Sequence, residues 1–333
     1  MEFLDVVSTS QFLGKPLWMW VTFLSVVLIL LVLDLGVLHK ETREIPIGES
    51  LVLSAVYIGL GLAFGGWVWW QLGSQSGIEY MTGFAVEKAL AMDNVFVIAM
   101  IFAFFSVPRK YQHRVLFWGV LGVIVLRAIM IGVGAAMVEK FAWVLYVFAA
   151  FLIATGVKMI LTAEKQYGVG VNPVLRFMRA RFNVTDEHHG QNFFVKKPDP
   201  ATGKPVWFMT PLFLALVLIE VADVIFAVDS VPAIFAITTD PFVVYTSNIF
   251  AILGLRALYF ALAAMVHRFH YLKYALAVVL IFIGSKIFIA DLMGVEKFPP
   301  ALALGITFGI IAAGIVVSLV KTRDAAGNRT AAS

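Results

Sequence analysis

Glu87-Lys88-Ala89-Leu90-Ala91-Met92-Asp93-Asn94-Val95-Phe96-Val97 and Glu220-Val221-Ala222-Asp223-Val224-Ile225-Phe226-Ala227-Val228-Asp229-Ser230-Val231-Pro232-Ala233-Ile234 are apolar stretches that carry acids at one repeated spacing. Glu87 precedes Asp93-Asn94 as Asp223 precedes Asp229-Ser230, six residues from acid to acid in both. The echo continues downstream, where Leu126-Arg127-Ala128 matches Leu255-Arg256-Ala257 and Gly156-Val157-Lys158 matches Gly284-Ser285-Lys286. From Arg to Lys the separations are about 31 and 30 residues. Correspondences in register, each built on charge inside apolar sequence, mark an internal duplication.

The surroundings of these stretches place them in lipid. Of 333 residues, 61% are hydrophobic and 14% charged, against roughly half and a quarter in soluble domains. Crossing a hydrocarbon core takes about 20 apolar residues. About nine such segments recur, near 17–38, 51–72, 82–106, 115–138, 142–163, 207–234, 243–266, 272–292 and 300–320. The first is too long for a signal-peptide core and is followed by Lys40 and Arg43, so it reads as a true span. The predicted fold is all-α and polytopic, with about nine transmembrane helices. Its parts are a two-span segment (1–72), a three-helix repeat (82–163), a loop (164–206), a second three-helix repeat (207–292) and a last span (300–320). Three is odd, so the second repeat enters the membrane from the opposite side to the first. Such inverted repeats place substrate sites near the midplane of secondary transporters.

Lys and Arg accumulate on the cytoplasmic side of membrane proteins. With the N-terminus outside and the C-terminus in the cytoplasm, about seventeen of these residues fall inside and three (Lys15, Lys140, Lys297) outside. The formal charge of +4 therefore calls for no nucleic-acid partner. In the long loop, Asn172-Pro173 offers an N-cap and first helical residue before an Arg-interleaved segment suited to the inner leaflet. Phe193–Val195 and Val206–Phe208 flank a Pro/Gly turn and suggest a hairpin. Asp186-Glu187-His188-His189 reads as solvated loop rather than a metal sensor. There is no cysteine, which removes disulfides, thiolate metal sites and thiol nucleophiles. No nucleophile motif or nucleotide loop points to an enzyme.

An ionisable side chain at the bilayer centre costs about 2.5–3.5 kcal/mol even on the lenient insertion scale. Asp34, Glu87, Asp93, Arg127, Lys158, Glu220, Asp223, Asp229, Arg256 and Lys286 would together cost about 30 kcal/mol unpaired, so they must face one another, water or an ion. Simple pairing into a structural network is one reading. Six acids outnumber four bases, however, and Asn94 and Ser230 add neutral oxygens beside Asp93 and Asp229. Such donors suit Mg²⁺, Mn²⁺ or Ca²⁺, whereas zinc and copper sites recruit Cys or His. The candidate ligands are Asp93, Asp229, Glu87, Asp223, Asn94 and Ser230; Met92 reads as packing. Arg127, Lys158, Arg256 and Lys286 read as counter-charges or proton-coupling groups, with Glu220 and Asp34 in weaker supporting positions. Asp93 and Asp229 are expected to face each other at the midplane, with Glu87 about 9 Å to the outer side and Asp223 as far to the inner. Residues six apart differ by about 240° around a helix, so both acids of one unit meet one ion only across a break. Pro232 and Pro241 are where the second unit is expected to break.

The two quoted strings, with Thr238-Thr239-Asp240-Pro241-Phe242, Ser247–Ala257 and Gly156-Val157-Lys158-Met159, closely resemble TerC-family membrane proteins of the Alx type. That resemblance covers most of residues 20–320. It implies a bacterial inner-membrane protein related to LysE-like transporters, associated with Mn²⁺ efflux, the response to alkaline pH and, by historical name, tellurium resistance. A Mn²⁺ exporter coupled to proton exchange is the expected function, with the ion as cargo and no tightly bound cofactor. The alternatives are a pH-homeostasis device without metal and a tellurium-associated scaffold. An oxyanion site would want Arg and helix N-termini rather than carboxylates.

Overall fold

The computed structural model describes residues 10–36, 46–161, 169–198, 203–262, 272–295 and 298–330. The side chains of Asp34 and Asp93 lie outside the described set, as do His267 and His270. Among the described residues ten α-helices make the fold: α1 (Leu17–Gly36), α2 (Ile47–Phe104), α3 (Arg109–Lys140), α4 (Val144–Leu161), α5 (Pro173–Arg181), α6 (Pro211–Ile237), α7 (Pro241–Leu253), α8 (Leu255–Leu262), α9 (Leu272–Leu292) and α10 (Pro300–Thr330). Among the described residues seven helical segments are long and apolar enough to cross a membrane, counting α7 and α8 as one.

α2 is interrupted once, at Gly73, whose φ of 87° and ψ of 175° are closed to other residues. The connection expected at 73–81 is thus a single hinge residue, with helix on both sides. Limbs 47–72 and 74–104 fold back on each other, since Tyr80 Oη donates to the Gly61 carbonyl at 3.0 Å. A cluster of rings from α1, the first limb and α7 (Trp20, Phe23, Phe64, Phe242, Phe250) packs this corner of the bundle.

α7 and α8 form the innermost layer, with nearly every residue of 241–262 buried. Asp240 caps α7 by accepting from the Phe242 and Val243 amides, which puts Pro241 at the first helical position. The helix stops at Leu253 and restarts at Leu255, so the break in this segment falls at Gly254. Pro232, the expected interruption, sits inside an α6 that continues to Ile237.

α4 and α9 make the closest pairing, and it is reciprocal. Gly156 lies against the Ala277 carbonyl, and Gly284 lies against the Ala149 carbonyl. Each glycine is seven residues beyond the carbonyl that the other touches, as a two-fold axis between the helices would require. Small residues allow backbones this close in a membrane, where packing rather than hydrophobicity drives association.

The long loop folds as a cap. α5 begins at Pro173, where the Asn172 side chain accepts from the Val174 amide at 2.9 Å, and turns Leu175 and Met178 inward. β3 (Phe194–Pro198) and β4 (Pro205–Met209) pair antiparallel as a hairpin. A second, smaller hairpin, β1 (Gln11–Phe12) with β2 (Lys15–Pro16), precedes α1. In the cap Lys197 donates to Glu187 at 2.7 Å and holds that exposed carboxyl below its ordinary pKa.

Leucine at Gly156 or Gly284 would drive a side chain into the opposite backbone. Overpacking of this kind costs about 1–3 kcal/mol. Each variant should melt below the native protein in detergent, while Gly309→Leu, with nothing near its Cβ, should not. Equal melting temperatures for all three would remove the close crossing.

Candidate buried charge network

Arg127 stands at mid-length in α3 and is 1% exposed; Glu87 on the second limb of α2 and Asp223 on α6 are 2% and 5% exposed. One guanidinium joins both acids. Its Nη1 donates to Glu87 Oε1 in a short ion pair, to Ser230 Oγ at 2.8 Å and to Asn248 Oδ1 of α7 at 3.3 Å. Nε and Nη2 reach the two oxygens of Asp223 at 3.4 and 3.3 Å. The planar fork of five donors suits arginine to several acceptors at once. Asn94 donates to Asp223 Oδ1 at 3.4 Å, and its own Oδ1 is buried with no hydrogen-bond partner. A buried acceptor left open beside a carboxylate is a group that a cation would complete.

The register between the two helices differs from the expected one. Gly83 lies beside Ile234, and Asn94 beside Asp223, so the second limb of α2 and α6 run antiparallel with Glu87 opposite Ser230. Asp229 therefore stands at the level of Glu87, and residue 93 at the level of residue 224. At 1.5 Å per residue, the backbones of residues 93 and 229 are offset by about 7–8 Å along the axis, at levels between those of Glu87 and Asp223. Among the described side chains, the carboxylates joined through Arg127 are Glu87 and Asp223. Asp229, half-buried, accepts from Thr155 Oγ1 of α4 at 3.1 Å, within electrostatic reach of Lys158.

The remaining groups are dispersed. Arg256 is buried on α8; Lys158 is exposed, and its repeat counterpart Lys286 is buried on α9. Glu220 fits against Gly122 of α3, where a Cβ would fall on its carboxylate, and its Oε2 is buried without a hydrogen-bond partner. Among the described residues no three Asp, Glu or His side chains converge to hold a metal. In the cap, His188 Nε2 meets the Phe105 carbonyl at 3.0 Å, and Glu187 pairs with Lys197.

Sequence reasoning passed over several members of the network. Lys88 is 8% exposed and donates to the Ala251 carbonyl at 3.0 Å, in the last turn of α7 before the break. Asn248 and Thr155 are ligands of the central charges. Glu79, 5% exposed, takes a hydrogen bond from Gln75 at 2.5 Å. The signal for Lys88 was a charge in the middle of an apolar run, the same signal that found Glu87.

The family model of the integral membrane protein TerC family matches residues 72–326. An uncharacterized membrane protein of Myxococcus xanthus is 44% identical over 319 residues, covering 96% of this chain and 97% of that one. One from Rickettsia bellii is 46% identical over 302 residues, covering 91% and 97%. A protein of Escherichia coli K12 called "putative membrane-bound redox modulator Alx" is 45% identical over 314 residues, covering 92% and 95%. No solved structure matches.

Removing one partner of a buried ion pair costs about 3–5 kcal/mol, because the other charge is stranded. Arg127→Met should lower the melting temperature strongly, and adding Glu87→Gln with Asp223→Asn should restore most of the loss. A triple variant no better than the single one would show that the acids do not depend on Arg127.

Proposed function

This chain belongs to the TerC family of integral membrane proteins, and from that premise we propose that it exports a hard divalent cation, Mn²⁺ foremost, in exchange for protons. The observation that carries the reading is the Glu87–Arg127–Asp223 network with the open Asn94 oxygen beside it. Two carboxylates bracket a cation at the bundle core, and the cation present is the protein's own guanidinium. In the transport cycle a metal ion competes for those carboxylates. Arg127 holds them ionised and in place between ions, as a counter-charge.

The architecture proposed around the site is nine spans, two of them the limbs of α2, in a bacterial inner membrane with the N-terminus outside. Units 82–163 and 207–292 are the inverted repeats, and the reciprocal Gly156 and Gly284 contacts support that symmetry. Asp229 with Thr155, level with Glu87, and residue 93, level with residue 224, then fall between the levels of the central pair as stations for metal or proton. The chain acts as a carrier rather than an enzyme. Redox modulation is what the name of the E. coli relative says of that protein. A chain without cysteine does not modulate redox state by thiol exchange, but moving a redox-active metal ion is a route to the same effect.

Mn²⁺ uptake into inside-out vesicles tests this. Native protein should accumulate the ion when the lumen is acidic. Glu87→Gln and Asp223→Asn, singly, should each lower the initial rate at least tenfold while the protein inserts normally. Rates that stay native in both would sink metal transport by this site. Proton movement that ignores the metal would favour the pH-homeostasis alternative.

A further inference from the structure

At the end of the bundle away from the α5 and hairpin cap lies a cavity of about 270 Å³, walled by the start of the second α2 limb, the end of α6, α4, α9 and the start of α10. Its polar lining includes Gln75, Glu79, Thr82, Thr238, Thr239, Lys286 and Asp291, with Thr239 exposed at the rim. At roughly 30 Å³ per molecule it has room for about nine waters, enough for a divalent ion that keeps its first hydration shell. Glu79 and Lys286 are 5% and 8% exposed, and ionisable groups buried in a membrane protein face partners or water-filled cavities. Among the described lining residues, two acids against one lysine leave a surplus of negative charge, which favours cations over anions.

The cavity also has a direction. Asp291 is exposed at the rim, whereas Thr82 and Thr238 are each 2% exposed at depth. Thr82 precedes Glu87 by five residues on the same limb, about 7–8 Å along the axis. From α6, Phe235 lines the same floor, five residues beyond Ser230, which holds Arg127. The cavity thus ends about one and a half helical turns from Glu87 on the α2 limb and from Ser230, which holds Arg127, on α6.

We propose that this cavity is the water-filled mouth through which hydrated divalent cations pass between the Glu87–Asp223 centre and the membrane face opposite the cap. The proposal rests on the transport reading above.

Because the chain has no cysteine, single cysteines report access without a background. Thr239→Cys at the rim, Thr82→Cys at depth and Ile129→Cys on the lipid-facing surface would be treated with a membrane-impermeant methanethiosulfonate in reconstituted vesicles. The expected result is modification of the first two and not of Ile129→Cys. Mn²⁺ flux of each modified cavity variant should fall at least tenfold below that of the same variant unmodified, and Mn²⁺ should slow the labelling of Thr82→Cys. The proposal is overturned if Thr82→Cys reacts no faster than Ile129→Cys, or if full modification leaves flux unchanged. Native protein that moves metal beside such a result would spare the transport reading. Native protein that moves none would end both.

Discussion

A guanidinium buried in apolar surroundings is tolerable only when its charge and its five donors are answered, and the packing of this bundle is organised around that constraint at Arg127. Its partners come from the second limb of α2, from α6 and from α7, while the residue itself belongs to α3. Four helices therefore meet at one side chain. A lysine could not replace it, since a compact ammonium offers no fork to span Glu87 on one side and both oxygens of Asp223 on the other. The register that places Glu87 opposite Ser230 follows from the same contacts: sliding α6 by one turn would carry Asp223 or Ser230 out of reach.

The second constraint is backbone. In lipid each polar main-chain group must find a partner within the protein, and irregular backbone survives only where protein or water surrounds it. The break at Gly254 satisfies this by lying in the innermost layer, where Lys88 donates to the Ala251 carbonyl. Space is part of the arrangement, because a Cβ at Gly254 would come within 2.9 Å of Lys88 Nζ. The half-helix α7 thus ends on a cation, the charge that its dipole favours there. In α6 the helix continues past Pro232 to Ile237, although the proline removes one amide donor from the helical ladder.

These two constraints explain which parts of the fold could be read from the amino-acid order. Spans, the cap helix starting at Pro173 and the hairpin were legible because hydropathy, capping and turn chemistry are local properties. So was the charge network as a set, because an intramembrane charge is conspicuous wherever it falls. The pairing was not. Spacing within one helix gives an axial separation, but the offset between two helices depends on side-chain contacts, and an offset of five residues decided whether Asp93 or Glu87 stands opposite the end of α6 near Ser230. Lys88 escaped notice for a related reason: a count of acids against bases favours residues that fit the repeat, and its counterpart in the second unit is Val224. The turn at Gly73 and the break at Gly254 show the limit of proline and glycine as punctuation, since the glycine at 254 breaks a helix that the proline at 232 does not.

On the transport reading proposed above, charge balance couples the network to proton exchange. Glu87 and Asp223 carry two negative charges, and Arg127 and Lys88 carry two positive ones, so the core is near neutral without a metal. A divalent ion that enters adds two charges to a region where each uncompensated charge costs several kcal/mol. Neutrality is kept if two protons leave as one cation binds, and if two return when it departs. Glu220, whose Oε2 has no hydrogen-bond partner, and Asp229, held by the single hydroxyl of Thr155, are carboxylates outside the guanidinium's grip and so the ones free to carry those protons.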